Sequence, residues 1–192
     1  MERIVLASGS PRRRQLLEWA EVPFDVIVSD ADEDFPAGTG PSVAAVMVAE
    51  AKAEAVRRGQ AYRSLAGAPP IVAADTMVVL DGDIIGKPAD RAEAVRTLSR
   101  LSGRRHEVVT GVVILHAGQA VRFHDVTSVW FHDIPAAGIE HYVDRYGPYD
   151  KAGAYAIQEW IGVVGIRRIE GDFYNVMGLP VSRVVNALEG LV

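Results

Sequence analysis

Apolar positions along this chain fall into short unbroken runs and into stripes at helical spacing, so that strand and helix alternate before the pattern turns to paired strands. Arg3–Ala7 predicts a first strand. Ser10 then stands as an N-cap and Pro11 as a first helical residue, with Leu16, Leu17 and Ala20 on the apolar stripe. Phe24–Val28 predicts a second strand. Pro41 and Ser42 open a long helix ending at Arg58, with Gly59 as C-cap and Ala44, Met47, Val48, Ala51 and Ala55 on its apolar face. Beyond a polar connection at Tyr62–Pro70 comes the longest apolar run, Ile71–Leu80. It is rich in β-branched residues and reads as a buried strand. Asp81-Gly82 suits the centre of a tight hairpin turn, and Asp83–Gly86 the returning segment.

In the second half, Asp90 caps a helix with Glu93 reaching back, Val95, Leu98 and Leu101 supply core contacts, and Gly103 stops it. Val108–Leu115 and Ala120–Phe131 predict strands joined at residues 116–119. Ile139–Tyr146 predicts a helix, 147–160 a long loop, Ile161–Ile169 a further strand, 170–180 a Gly-rich loop, and Pro180–Leu188 a closing amphipathic helix. Early alternation followed by hairpins points to an α/β fold with a mixed, twisted sheet and flanking helices rather than a strictly parallel one. The two Gly-rich segments exceed ordinary turn lengths and are expected to line a site. No repeat or low-complexity linker interrupts residues 1–192, which read as one domain or two lobes sharing a sheet.

Composition narrows the classes. Hydrophobic residues make up 49% of the chain, which excludes general disorder. A net charge of −5 leaves no global basic field for nucleic acid, so any anion site must be local. The absence of cysteine excludes disulfides, thiolate metal sites and thiol nucleophiles. The opening MERIVLAS has no signal-peptide pattern, and no apolar run approaches the roughly 20 residues of a membrane span. The expectation is a cytoplasmic protein without membrane or nucleic-acid partners.

Candidate chemistry sits where charge interrupts this pattern. Asp75 breaks the buried strand with Thr76 beside it, and Lys87-Pro88 closes the hairpin. These residues read either as parts of one site or as a capped turn with a surface lysine. Arg12, Arg13 and Arg14 crowd the first turn of the first helix, where the macrodipole favours anions. They either surround a phosphate or are simply solvated. Lys52 lies at the margin of the long helix's apolar face, snorkelling or pointing into a site. The loop after the second strand carries Asp30, Asp32, Glu33 and Asp34, solvated or holding a cation. Arg12, Arg13, Lys52 and Lys87 with Glu33, Asp75, Thr76 and Gln158 form the inventory for a phosphorylated substrate bound with a divalent metal. The five histidines lack H-E-x-x-H spacing, and His106 and His141 read as surface or strand-end residues. Walker A, G-x-S-x-G and G-x-G-x-x-G patterns are absent. The residues alone indicate metal-assisted chemistry on a small phosphate ester or anhydride.

Five segments in order, ASGSPRRRQLL at 7–17, AADTMVVLDGDIIGKP at 73–88, LSGRRHEVVTGV at 101–112, DKAGAYAIQ at 150–158 and YNVMGLP at 174–180, resemble the Maf family. The resemblance implies nucleoside triphosphate pyrophosphatases that cleave the α–β anhydride. It also implies an elongated, two-lobed fold related to inosine triphosphate pyrophosphatases, with a cleft between the lobes. By that resemblance Asp75 is the proton acceptor that activates water. Arg12, Thr76 and Gln158 govern substrate choice, and Ser8, Ser10, Arg13, Glu33, Lys52 and Lys87 are further polar positions of the cleft. Glu33 and Asp75 would hold magnesium or manganese. DKAGAYAIQ is similar to the branch acting on dTTP and UTP, with modified pyrimidine nucleotides as further substrates, rather than to the 7-methyl-GTP branch. The family is also associated with septum formation, which admits a nucleotide-binding regulator, and a homodimer is one assembly it allows. Many relatives carry glycine where this chain has Glu159, followed by Trp160.

Overall fold

In the computed structural model, which describes residues 2–191, the elements run in the following order. The first half comprises β1 (Ile4–Leu6), α1 (Pro11–Trp19), β2 (Phe24–Val26), α2 (Pro41–Arg58), α3 (Gln60–Arg63), β3 (Ile71–Leu80), β4 (Asp83–Ile85) and α4 (Arg91–Leu101). The second comprises β5 (Arg105–His116), β6 (Gln119–Phe131), α5 (Ala136–Tyr146), two 3-10 turns (Pro148–Asp150 and Ala152–Ala154), α6 (Trp160–Gly165), β7 (Ile166–Glu170), α7 (Phe173–Met177) and α8 (Val181–Glu189). Among the described residues seven strands form one sheet in the order β2-β1-β3-β5-β6-β7, with β4 paired to β3. The β1 pairings with β2 and β3 are parallel, whereas β3–β4 and β6–β7 are antiparallel. The mixed α/β expectation therefore holds. No described helix is long and apolar enough to cross a membrane.

The fold divides into two compact units, residues 1–76, 110–125 and 178–192 in the first and 77–109 and 126–177 in the second. In the first unit, α2 lies on the sheet through Ala49, Ala53 and Val56, which pack with Val5, Ala7, Ile71, Ala73, Val113 and Leu115. The buried face of α2 is Ala44, Ala45, Val48, Ala49, Ala53 and Val56, rotated from the expected one, and Met47 is 40% exposed. Size decides this rotation rather than hydropathy. A β-carbon added at Gly111 of β5 would stand 2.3 Å from the Ala45 carbonyl carbon, so α2 approaches the sheet backbone to backbone and only small residues fit beneath it.

In the second unit, the β3–β4 hairpin turns at Asp81 and Gly82 with φ of 54° and 90°, the two positive values a tight primed turn requires. Asp90 accepts from Glu93 N at 2.8 Å, while the Glu93 carboxylate accepts from Ala89 N rather than from Asp90 N. Two expectations are corrected here. Residues 161–165, expected as strand, belong to helix α6. Gly162 N and Val163 N donate to Glu159 O, and Gly162 lies so close to Ile157 O that a β-carbon there would stand 1.8 Å from it. The 170–180 loop contains α7, which starts where Asp172 accepts from Tyr174 N at 2.7 Å.

His106 is a strand-end residue but not a surface one. It is buried against Phe131 and Tyr155, with Nε2 2.7 Å from the Tyr155 hydroxyl. Burial lowers its pKa to about 4. The folded protein thus holds His106 neutral where the unfolded chain, with an ordinary value near 6.5, takes up a proton. Stability is unaffected above that value and falls as pH drops from it towards 4. About 2 kcal/mol is expected to be lost through this residue between pH 7 and pH 5. Urea unfolding at the two pH values, with His106→Asn showing a shallower loss, checks this. His141, by contrast, is exposed, edge-on to Trp160.

Candidate active site

The two-residue alternation of β3 places Ile71, Ala73 and Asp75 on one face. The first two pack under α2, so Asp75 meets the same helix. There Lys52 Nζ donates to Asp75 Oδ1 at 2.8 Å and pairs with Glu33 Oε1 at 2.6 Å. Lys52 and Asp75 side chains are 12% and 14% exposed, whereas Glu33 is 51% exposed, so the pair is drawn inside and Glu33 closes it from the rim. β3 is buried along its length except at Asp75 and Thr76. A charged aspartate is tolerated in that strand because an ammonium reaches it. Lys52 therefore points to the site and does not snorkel.

Thr76 faces the other side, towards α1. Its hydroxyl accepts from Arg13 Nη2 at 3.0 Å and lies 2.9 Å from Thr110 Oγ1. Arg13 also donates from Nε to Gly178 O at 2.8 Å and from Nη1 to Ser8 Oγ at 3.1 Å. Ser8 Oγ accepts from Ser10 N at 3.2 Å, and Ser10 caps α1 by accepting from Arg13 N at 3.5 Å. Ser8, Ser10, Arg13, Thr76 and Gly178 thus form one connected network. Gly178, at φ +118°, takes a backbone conformation that L side chains rarely adopt as it turns its carbonyl to Arg13. Burial lowers the Arg13 pKa from its ordinary value, with Asp75 raising it, Arg12 lowering it and Glu33 raising it. An arginine nonetheless stays charged. Arg13 is 8% exposed, and three of the five N–H donors of a guanidinium are spent on protein groups. It acts first as a clamp on this network, while Arg12 is half-buried and Arg14 exposed. The first unit accordingly brings together Ser8, Ser10, Arg12, Arg13, Glu33, Lys52, Asp75 and Thr76.

Lys87 and Gln158 belong to the second unit. Lys87 is exposed just beyond β4. Gln158 is exposed directly after the buried run Gly153–Ile157. That run is held firmly: Gly153 N donates to Gly86 O at 3.1 Å, and a β-carbon at Gly153 would meet Val78 at 2.9 Å. Lys151 is buried, with Nζ 2.8 Å from Asp150 Oδ1 and 3.6 Å from Glu159 Oε1. The Tyr142 hydroxyl donates to Glu159 Oε2 and accepts from Ala156 N at 3.2 Å. Sequence reasoning did not place Tyr142 or Lys151 in any site. The trace it could have used is a lysine and an acid flanking the Gly-rich run. Asn175, also unanticipated, is buried on α7 and donates to Val108 O and Thr127 Oγ1, each at 3.0 Å.

Glu33 and Asp75 fit a divalent cation, since both carboxylates reach one point, at present held by the Lys52 ammonium. Among the described residues no group of three or more His, Asp or Glu is placed to hold a metal. The protein offers a carboxylate pair here, and a magnesium-type ion completes such a shell with phosphate oxygens and water.

Three comparisons bear on this arrangement. The structure superimposes on that of the Staphylococcus aureus Ham1 protein with a TM-score of 0.51 over the whole of both chains at 19% identity, a likeness of fold. The sequence is 47% identical to the dTTP/UTP pyrophosphatase of Porphyromonas gingivalis over 189 residues, covering 97% of this chain and 93% of the relative. It is 45% identical to the protein of the same name from Halalkalibacterium halodurans, covering 98% and 96%. Residues 3–191 match the family described as Maf-like protein, and the chain belongs to the Maf family.

Proposed function

We propose that this protein is a pyrophosphatase that hydrolyses dTTP and UTP to the nucleoside monophosphate and pyrophosphate, acting on free nucleotides in the cytoplasm, with residues 1–192 working as one domain. The observation that carries the reading is Asp75 held by Lys52 within an otherwise buried strand, one residue from the Arg13–Thr76 network. Relatives named dTTP/UTP pyrophosphatase at 43–47% identity support the substrate class. Lys52 engages Asp75 through Oδ1, so a water taken up on the carboxylate's other oxygen would pass its proton there as it attacks phosphorus. Arg12, Lys52 and Lys87 meet the triphosphate charge with Ser8 and Ser10. Arg13 holds Ser8 and Thr76 in place and adds its own charge. Arg12, Thr76 and Gln158 set nucleotide choice. Glu33 and Asp75 would hold a magnesium or manganese ion, which would supply neutralisation of the triphosphate.

A panel of nucleoside triphosphates scored by pyrophosphate release tests the reading. dTTP and UTP are expected to exceed ATP, GTP and CTP at least roughly tenfold in kcat/KM, a discrimination worth about 1.4 kcal/mol. Preference for 7-methyl-GTP would instead place the protein in the sister branch.

A further inference from the structure

Lys52 and a divalent cation have claims on the same place. The ammonium lies 2.6 Å from Glu33 Oε1 and 2.8 Å from Asp75 Oδ1, bridging the two carboxylates that fit a metal. Metal–oxygen distances are shorter still, about 2.0–2.1 Å for magnesium. An ammonium and a dication bound to the same two oxygens would therefore overlap and repel. Lys52 does not reach this position by chance of an exposed rotamer. Its side chain is 12% exposed, and it projects from α2, which the close approach of Ala45 to Gly111 fixes against the sheet.

We infer that Lys52 competes with the divalent cation for the Glu33–Asp75 pair, so that the metal is taken up together with the triphosphate rather than before it. This rests on the pyrophosphatase reading above. Without nucleotide, metal entry must break two charge-assisted contacts and leave the ammonium facing a dication. A triphosphate changes both sides of that exchange. Its oxygens give Lys52 a new anionic partner, and they supply the metal with ligands that the protein pair lacks. The lysine thus keeps the two acids from free metal until substrate arrives, and then becomes a phosphate contact.

The test is Mn2+ binding to the full chain, followed by electron paramagnetic resonance of free Mn2+. Wild-type protein alone is expected to bind weakly, and at least tenfold more tightly with α,β-imido-dUTP, after subtraction of Mn2+ bound by the analogue itself. Lys52→Met is expected to bind Mn2+ at least tenfold more tightly than wild type without nucleotide, whereas Lys52→Arg, which keeps the cation, stays weak. Tight nucleotide-free binding by wild type, or a folded Lys52→Met that binds no more tightly, overturns the competition and leaves the pyrophosphatase reading standing. The wild-type comparison decides even where Lys52→Met does not fold. Mn2+ that fails to bind with the analogue present overturns the metal-dependent reading beneath it as well.

Discussion

Asp75→Asn is expected to lower kcat for dTTP and UTP hydrolysis by about a thousandfold or more, within the range that loss of a positioned general base produces. The amide keeps the shape of the carboxylate and still offers an oxygen to Lys52, which donates to Asp75 Oδ1 in the native protein. What it loses is the capacity to accept a proton at neutral pH. Nucleotide binding, measured by calorimetry with a non-hydrolysable analogue, should persist, because the substitution leaves Arg12 and Lys52 unchanged. Turnover that survives the substitution would remove Asp75 from the proton-accepting role. Binding that disappears with activity would instead make it a ligand-holding residue. The neighbouring Lys52 is a poor substitute for this experiment, since removing it leaves two carboxylates facing each other without their shared cation.

Gly111→Ala is expected to be the most damaging single-methyl change in the first unit. The added carbon would lie 2.3, 2.4 and 2.5 Å from Ala45 C, Val46 N and Ala45 O, all main-chain atoms of α2 that no rotamer change can move. Relief requires the helix to lift from the sheet, and overpacking of this kind costs about 3 kcal/mol. For a chain of this length the melting temperature should fall by roughly 10 °C, read by calorimetry. Gly86→Ala, where the methyl meets nothing within 4 Å, is the control and should stay within about 0.5 kcal/mol of wild type. Because α2 carries Lys52, hydrolysis by Gly111→Ala at temperatures where it remains folded should also fall. A protein with native stability would show that α2 tolerates displacement.

The parts of this fold that could be read in the sequence are those where local chemistry and tertiary demand agree. Ile71–Leu80 and its Asp81-Gly82 turn were legible because an apolar run rich in β-branched residues and a dipeptide suited to positive φ both indicate a hairpin. Pro11 after Ser10 was legible for the same reason at α1. The buried face of α2 was not, since alanines surround that helix and hydropathy cannot choose among them. The choice was made by the contact with Gly111, some sixty positions away. α6 was misread because Ile161, Val163 and Val164 favour strands, while its helical turn depends on Glu159 and on the fit of Gly162 against Ile157. Within the site, Asp75 stood out as a charge in a buried strand and Lys52 at the margin of an apolar face, whereas Glu33 was one of four acids in a loop and was singled out by the family resemblance; the structure joins all three. Arg13 stood out as an anion ligand, yet its burial and its bond to Gly178, a residue with no chemistry of its own in the sequence, reveal a clamp.

That bond joins positions 165 apart, and the unit it belongs to is assembled from residues 1–76, 110–125 and 178–192. Synthesis proceeds from the amino terminus, so the helix bearing Arg12 and Arg13 leaves the ribosome long before its last partner does. Segment 77–109 and 126–177 has all its strands and helices in hand earlier and is free to fold while the first unit waits. The unit that carries Arg13, Lys52 and Asp75 is therefore finished late in translation. A nascent chain cut short before residue 178 would carry Asp75 and Lys52 but not the carbonyl that secures Arg13, and would release an immature product rather than a weakened enzyme.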